Sequence, residues 1–298
     1  MKWEDFRRSS NIEDRRDDSS NYASSNRGSS MMMLLPIVKM LIGTKIGRII
    51  LGIGVIAYFL GFNPLSLLDS TSNMQASSSK QMTNVEKSRD NNQAQFVSSV
   101  LAQTEDIWNG IFKEYGSTYV EPKLVLFRGG VKSGCGFASS QTGPFYCPAD
   151  QKVYLDLSFF DELAKRHDAP GDFAQAYVIA HEIGHHVQNI TGTISKVQKA
   201  KQGASTIQAN ALQVKVELQA DCYAGLWANK AHSSFGILEE GDIHEALNAA
   251  SAIGDDTLQK KAQGYVVPDS FTHGSSKNRM KWFNIGFKSG SIKECNTF

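Results

Sequence analysis

His181, Glu182 and His185 fall inside "AYVIAHEIGHHVQ", residues 176–188, in a chain with only 7 histidines among 298 residues. They fill the pattern H-E-x-x-H. On a helix, residues i and i+4 stand one above the other on the same face. Two imidazole nitrogens can then reach one metal ion at about 2.0–2.1 Å. Glu182 sits one residue on, about 100° round the helix. It is badly placed to ligate beside the histidines but well placed to reach a zinc-bound water. There it would act as general base and then carry the proton to the leaving amine. His186 points about 100° away from His185 and is expected to pack or hydrogen-bond elsewhere.

The extended form H-E-x-x-H-x-x-G-x-x-H fails, because position 188 is Gln and position 191 is Thr. A third ligand must come from another element, and "ELQAD" supplies it. Glu217 is expected to ligate the ion. Asp221, one turn on, is expected to accept a hydrogen bond from the free ring nitrogen of His181 or His185 and fix its orientation. Three protein ligands leave a fourth position open, the pattern of a catalytic zinc site. His273, in the Gly- and Ser-rich stretch "FTHGSS", is a candidate to stabilise the oxyanion, with capping beside Ser276 as the alternative. Tyr154, Tyr177 and Tyr223 are further candidates. The competing structural reading makes the histidines hydrogen-bonded core residues and puts Glu217 and Asp221 on a solvated helix face.

These residues need helices to position them. Phe173, Tyr177, His181, Gly184 and His185 share one stripe, and Val178, Ile179, Ile183 and Val187 fill much of the rest. A helix over 171–190 is thus expected to be buried nearly all round, where polar groups require partners. A second helix is expected over 205–231, with Ala224 and Gly225 continuing the Glu217–Asp221 stripe. Asp242 and Glu245 form a capping-box pattern for a third, and a fourth is expected over 276–286. Apolar spacing from Phe96 to Phe112 predicts a helix before them. "PKLVLF" and Lys152–Leu157 read as strands. Helices dominate and the few strands cluster, which gives an α+β class.

The whole chain divides unevenly. Residues 1–45 read as a disordered cytoplasmic segment, being polar, charged and Ser-rich over 1–30. Residues 46–68 hold the apolar run Ile49–Phe62 and read as a transmembrane signal anchor. Basic residues concentrate before this run, which places the N-terminus in the cytoplasm and the rest outside. Residues 69–92 read as a flexible linker, and residues 93–298 as the folded domain. With 31 basic and 30 acidic residues, nothing argues for a nucleic-acid partner. The even count of exported cysteines favours disulfides. Cys135 and Cys147 are the natural pair across a short loop, leaving Cys222 with Cys295; buried free thiols are the alternative.

The chain resembles the neutral zinc metallopeptidase family of bacteria, whose members are single-pass membrane proteins. The stretches that carry the resemblance are "NIEDRR", "CG", "GPFYCPADQKVYLDL", "FAQAYVIAHEIGHHVQ", "ELQADCYAGLWA", "AIGDD" and "FTHGSSKNRMKWFNIG". The resemblance implies a helix-rich, zincin-like domain with a small sheet, preceded by one transmembrane helix. It implies one Zn2+ per chain on His181, His185 and Glu217, with Glu182 catalytic. The expected partners are a peptide or protein substrate, envelope proteins among them, and a lipid bilayer at residues 46–68 in the inner membrane. The competing function is a non-catalytic envelope scaffold with a structural metal.

Overall fold

The computed structural model describes residues 1–18 and 83–298. Met1–Asp17 and Ser88–Phe298 make one unit. The described elements run β1 (Ile12–Arg15), α1 (Asn84–Glu114), β2 (Lys123–Phe127), β3 (Gly130–Ser133), β4 (Gly136–Ser139), β5 (Phe145–Cys147) and β6 (Lys152–Asp156). Then follow α2 (Ser158–Arg166), α3 (Asp172–Ile190), α4 (Thr193–Lys201), α5 (Thr206–Phe235), α6 (Asp242–Ala252), α7 (Asp255–Gln263) and α8 (Ser276–Ser289). This is a helix-rich α+β fold.

The main sheet has the order β1-β2-β6-β5, with β1, β2 and β6 parallel and β5 antiparallel at the edge. Strand alternation divides its side chains between two faces. Leu124, Leu126, Val153 and Leu155 join the large core under the helices. Val125, Phe127 and Tyr154 meet Val131 and Ala138 of the β3–β4 hairpin on the other face.

Two expectations are corrected at the start of the chain. Residues 1–17 are folded, not disordered. Trp3 is buried and meets Phe96 edge-on at 5.5 Å, and β1 pairs with β2 from Ile12↔Leu124 to Arg15↔Phe127. Polar composition misleads because the segment needs only a few apolar anchors, Met1, Trp3, Phe6 and Ile12, and pairs its charges. Glu13 bonds Lys152 at 2.7 Å and Arg15 at 2.6 Å, Arg16 bonds Asp90 at 2.6 Å, and Arg7 bonds the buried Glu105 at 2.9 Å. The linker expected over 69–92 is helical from Asn84 onward.

Packing of Met1–Asp17 into the same unit as Ser88–Phe298 has a consequence for topology. A single bilayer crossing between them, with the first cytoplasmic and the second outside, would separate strands that share one sheet. The predicted anchor, residues 46–68, lies outside the described residues; among those described, no helix is long and apolar enough to cross a membrane.

Both predicted cysteine pairs form, Cys135–Cys147 and Cys222–Cys295. The Asp242–Glu245 capping box does not. Gly241 takes the N-cap, and Glu245 instead accepts the Phe173 amide at 3.0 Å, capping α3. A capping box does form at α5, between Ser205 and Gln208.

Close approach of three helices assembles the site. A Cβ on Gly184 would lie 3.1 Å from the Ala220 Cα, so α3 and α5 meet nearly backbone to backbone. A Cβ on Gly225 would fall 2.0 Å from the Phe283 carbonyl oxygen, and one on Gly286 would fall 1.9 Å from that of Cys222. Only glycine permits this crossing of α5 and α8.

Candidate metal centre and active site

His181 and His185 lie one turn apart on α3, with ring centroids 4.8 Å apart and perpendicular. Across the Gly184–Ala220 contact, α5 presents Glu217. Its Oε2 lies 3.3 Å from His181 Nε2 and 3.4 Å from His185 Nε2. These separations are long for charge-assisted hydrogen bonds, which run near 2.7–2.9 Å. They match the edge of a tetrahedron, about 3.3 Å, around an ion with donors at about 2.05 Å. All three groups lie inside the fold, and their donor atoms converge within 4.8 Å of one another. Two imidazoles and a carboxylate are a zinc donor set, so the residues fit the ion that the sequence implies.

The other ring nitrogens are occupied. His181 Nδ1 donates to Asp221 Oδ1 at 2.9 Å, and His185 Nδ1 donates to Gln188 Oε1 at 2.9 Å. Each bond selects, for the neutral ring, the tautomer that leaves Nε2 free for an ion, on the side facing Glu217. Asp221 thus serves His181, one of the two partners predicted for it. Gln188 was missed, although its position three residues after His185 puts it on the adjoining face. It is fully buried and held in turn by Val216 O at 2.7 Å and Gln219 Oε1 at 3.1 Å.

Asp221 is also gripped by Arg279 of α8. Nε lies 2.9 Å from Oδ2 and Nη2 lies 2.9 Å from Oδ1. Tyr177 donates to Oδ1 at 2.6 Å. Burial opposes ionisation of Asp221, but the Arg279 and His181 charges outweigh it and bring its pKa down to about 2. Burial likewise works against the His181 cation, yet Asp221, with help from Glu217, pushes that pKa up to about 9. The same contest holds Glu217 well below the usual carboxylate range, through His185 and His181.

Glu182 stands outside the ligand triangle and lines the cleft beside it. Burial raises its carboxyl above the ordinary value, partly offset by His185 and His181. The cleft has a volume of about 410 Å³ and is walled by Phe145 and Tyr146 of β5, Phe159, Ile194, Val197 and Leu258. His273 also lines it, about half exposed. Its Nδ1 faces Asp255 Oδ1 at 3.3 Å, while Asp255 Oδ2 accepts the His273 amide at 2.6 Å. That carboxylate raises the His273 pKa. Ser275, not His273, caps α8.

Three histidine and tyrosine positions lie away from the chemistry. His186 points into the core, with Nε2 donating to Val120 O at 2.6 Å and Nδ1 accepting from Tyr146 Oη at 3.0 Å. Tyr154 bonds Asp150, and Tyr223 packs against Trp108.

The chain is 46% identical over 298 residues to the uncharacterized protein YpfJ of Escherichia coli K12, covering 100% of this chain and 99% of that one. It is 42% identical over 213 residues to the uncharacterized protein Rv2575 of Mycobacterium tuberculosis, covering 68% of this chain and 71% of that one. No solved structure matches. The sequence profile that matches, over residues 1–298, is described as "Putative neutral zinc metallopeptidase", and the chain belongs to that family.

Proposed function

We propose that the chain is a zinc-dependent peptidase that hydrolyses peptide bonds in the cleft beside His181, His185 and Glu217. The observation that carries this reading is the donor triangle with both Nδ1 atoms engaged and a second carboxylate, Glu182, standing free of it on the cleft wall. A scaffold with a structural metal would need neither an open side nor a buried carboxylate of raised pKa facing it. One zinc ion on these donors supplies Lewis-acid polarisation of the scissile carbonyl and lowers the pKa of water. Glu182 takes the proton from the attacking water and delivers it to the leaving amine. His273, oriented by Asp255, faces the cleft where oxyanion charge develops. The substrate backbone pairs with the outer edge of β5, whose other edge is held by β6.

Chelation of the full-length chain, restoration with zinc and cleavage profiling in an unbiased peptide library test this reading. We expect one zinc per chain and cleavage that disappears and returns with it. A chain that binds stoichiometric zinc and cleaves nothing would favour the scaffold reading.

We also propose an extracytoplasmic site at the bacterial inner membrane, where peptides or proteins of the envelope are the substrates. The two disulfides support this. In this proposal Met1–Asp17 and Ser88–Phe298, which share one sheet, lie on the same side of the bilayer. The exposed Ser10 and Ser234, replaced by cysteine one at a time, are both expected to react with a membrane-impermeant maleimide in spheroplasts. Protection of the first alone would restore the single crossing.

A further inference from the structure

Behind the metal centre, the zinc reading leaves the buried charge of Arg279 without a catalytic task. Arg279 is 2% exposed and Asp221 fully buried. A lone buried carboxylate is costly and would take up a proton. Arg279 meets it with a planar fork, Nε on Oδ2 and Nη2 on Oδ1, both at 2.9 Å. Its remaining contacts reach the Tyr177 hydroxyl at 3.1 Å and, at the longer range of 3.4 Å, Ile253 O and His181 Nδ1 itself. Each guanidinium nitrogen therefore has a partner inside the protein.

By holding both oxygens at once the fork restrains the rotation of the carboxylate about the Cβ–Cγ bond, a torsion that is otherwise soft. That rotation decides where Oδ1 points. Oδ1 is the atom that receives the His181 Nδ1 proton at 2.9 Å. The backbone contact of α5 and α8 at Gly225 and Gly286 holds the guanidinium at this depth.

We infer that Arg279 is a positioning residue of the metal centre: by clamping both oxygens of Asp221 it aims Oδ1 at His181 Nδ1 and so keeps His181 Nε2 directed at the ion. This rests on the zinc reading above. It makes the site a chain of contacts drawn from three helices, α8 to α5 to α3. A buried ion pair serving only the fold would affect stability and leave the metal affinity of the folded fraction unchanged.

The test is zinc affinity of the full chain by competition with a chromophoric chelator, with circular dichroism confirming the fold. Arg279→Met is expected to weaken binding by about 10- to 100-fold, the usual cost of losing a partner behind a metal-ligating histidine. Arg279→Lys keeps the charge and loses the fork. It is expected to fall in between and to shift the ligand-field bands of the Co2+-loaded chain. The deciding comparison is Asp221→Asn with and without Arg279→Met, in which no buried carboxylate is stranded. If Arg279 acts through Asp221, the two should agree within about threefold. Should Arg279→Met fail to fold, the lysine and double variants carry the result. Wild-type affinity in either single variant, or a further tenfold loss in the Asp221→Asn background, overturns the inference. A wild-type chain that takes up no zinc overturns the metal reading itself, and the role of Arg279 with it.

Discussion

Glu182→Gln is expected to lower peptide cleavage by about 100- to 10,000-fold, the range for loss of a general base, while zinc stoichiometry stays at one. Both halves come from geometry. Glutamine is nearly isosteric and Glu182 is outside the donor triangle, so the two Nε2 atoms and the Glu217 oxygen keep their places. What disappears is the proton acceptor on the cleft wall. A buried carboxylate with a raised pKa suits this work, because proton transfer is most effective when the base lies near working pH. Steady-state cleavage of one fluorogenic peptide, beside metal analysis of the same preparation, reads both numbers. A variant that keeps more than about a tenth of the activity would remove Glu182 from its role.

The second large effect is in protons. His181 of the metal-free chain stays charged up to about pH 9, but a metal takes the neutral imidazole. Loading zinc at pH 7 must therefore expel at least about one proton, and apparent affinity should rise about tenfold per pH unit until it levels near pH 9. Calorimetry in two buffers of different ionisation enthalpy counts that proton, and a count of zero would contradict the shift. Stability of the metal-free chain runs the opposite way. A raised histidine pKa stabilises the fold fully below 6.5 and loses that contribution as pH climbs through about 9. Asp221, lowered to about 2, contributes above its ordinary 3.8 and loses this as pH falls through about 2. The metal-free chain should thus melt at lower temperature at pH 9 than at pH 6.5.

Legibility in the sequence followed distance along the chain. The i, i+4 spacing of His181 and His185 is a local signal, and so is the stripe that buries α3. The small residues after Asp221 marked α5 in the same way. Gln188 was equally local, yet it stands where a longer motif would continue, and the failure of that motif drew attention away from its amide. Arg279 and Asp255 had no local signal. One reaches its partner across two packed helices, and the other is joined to His273 only by the fold. The first seventeen residues were misread for a different reason. A few apolar anchors, Met1 and Trp3 in the core with Phe6 and Ile12 against it, act together with ion pairs and a shared sheet, and average composition hides them.

That first strand also has a kinetic meaning. Ile12 is translated early, but its neighbour in the sheet, Leu124, is about 110 residues further on. A parallel pairing with so long a closure is slow. β1 is therefore a late arrival in folding, docked after α1 and β2 have formed the seam it fills. Until then β2 is left with an open edge, and the newly made chain is at its most vulnerable to wrong partners.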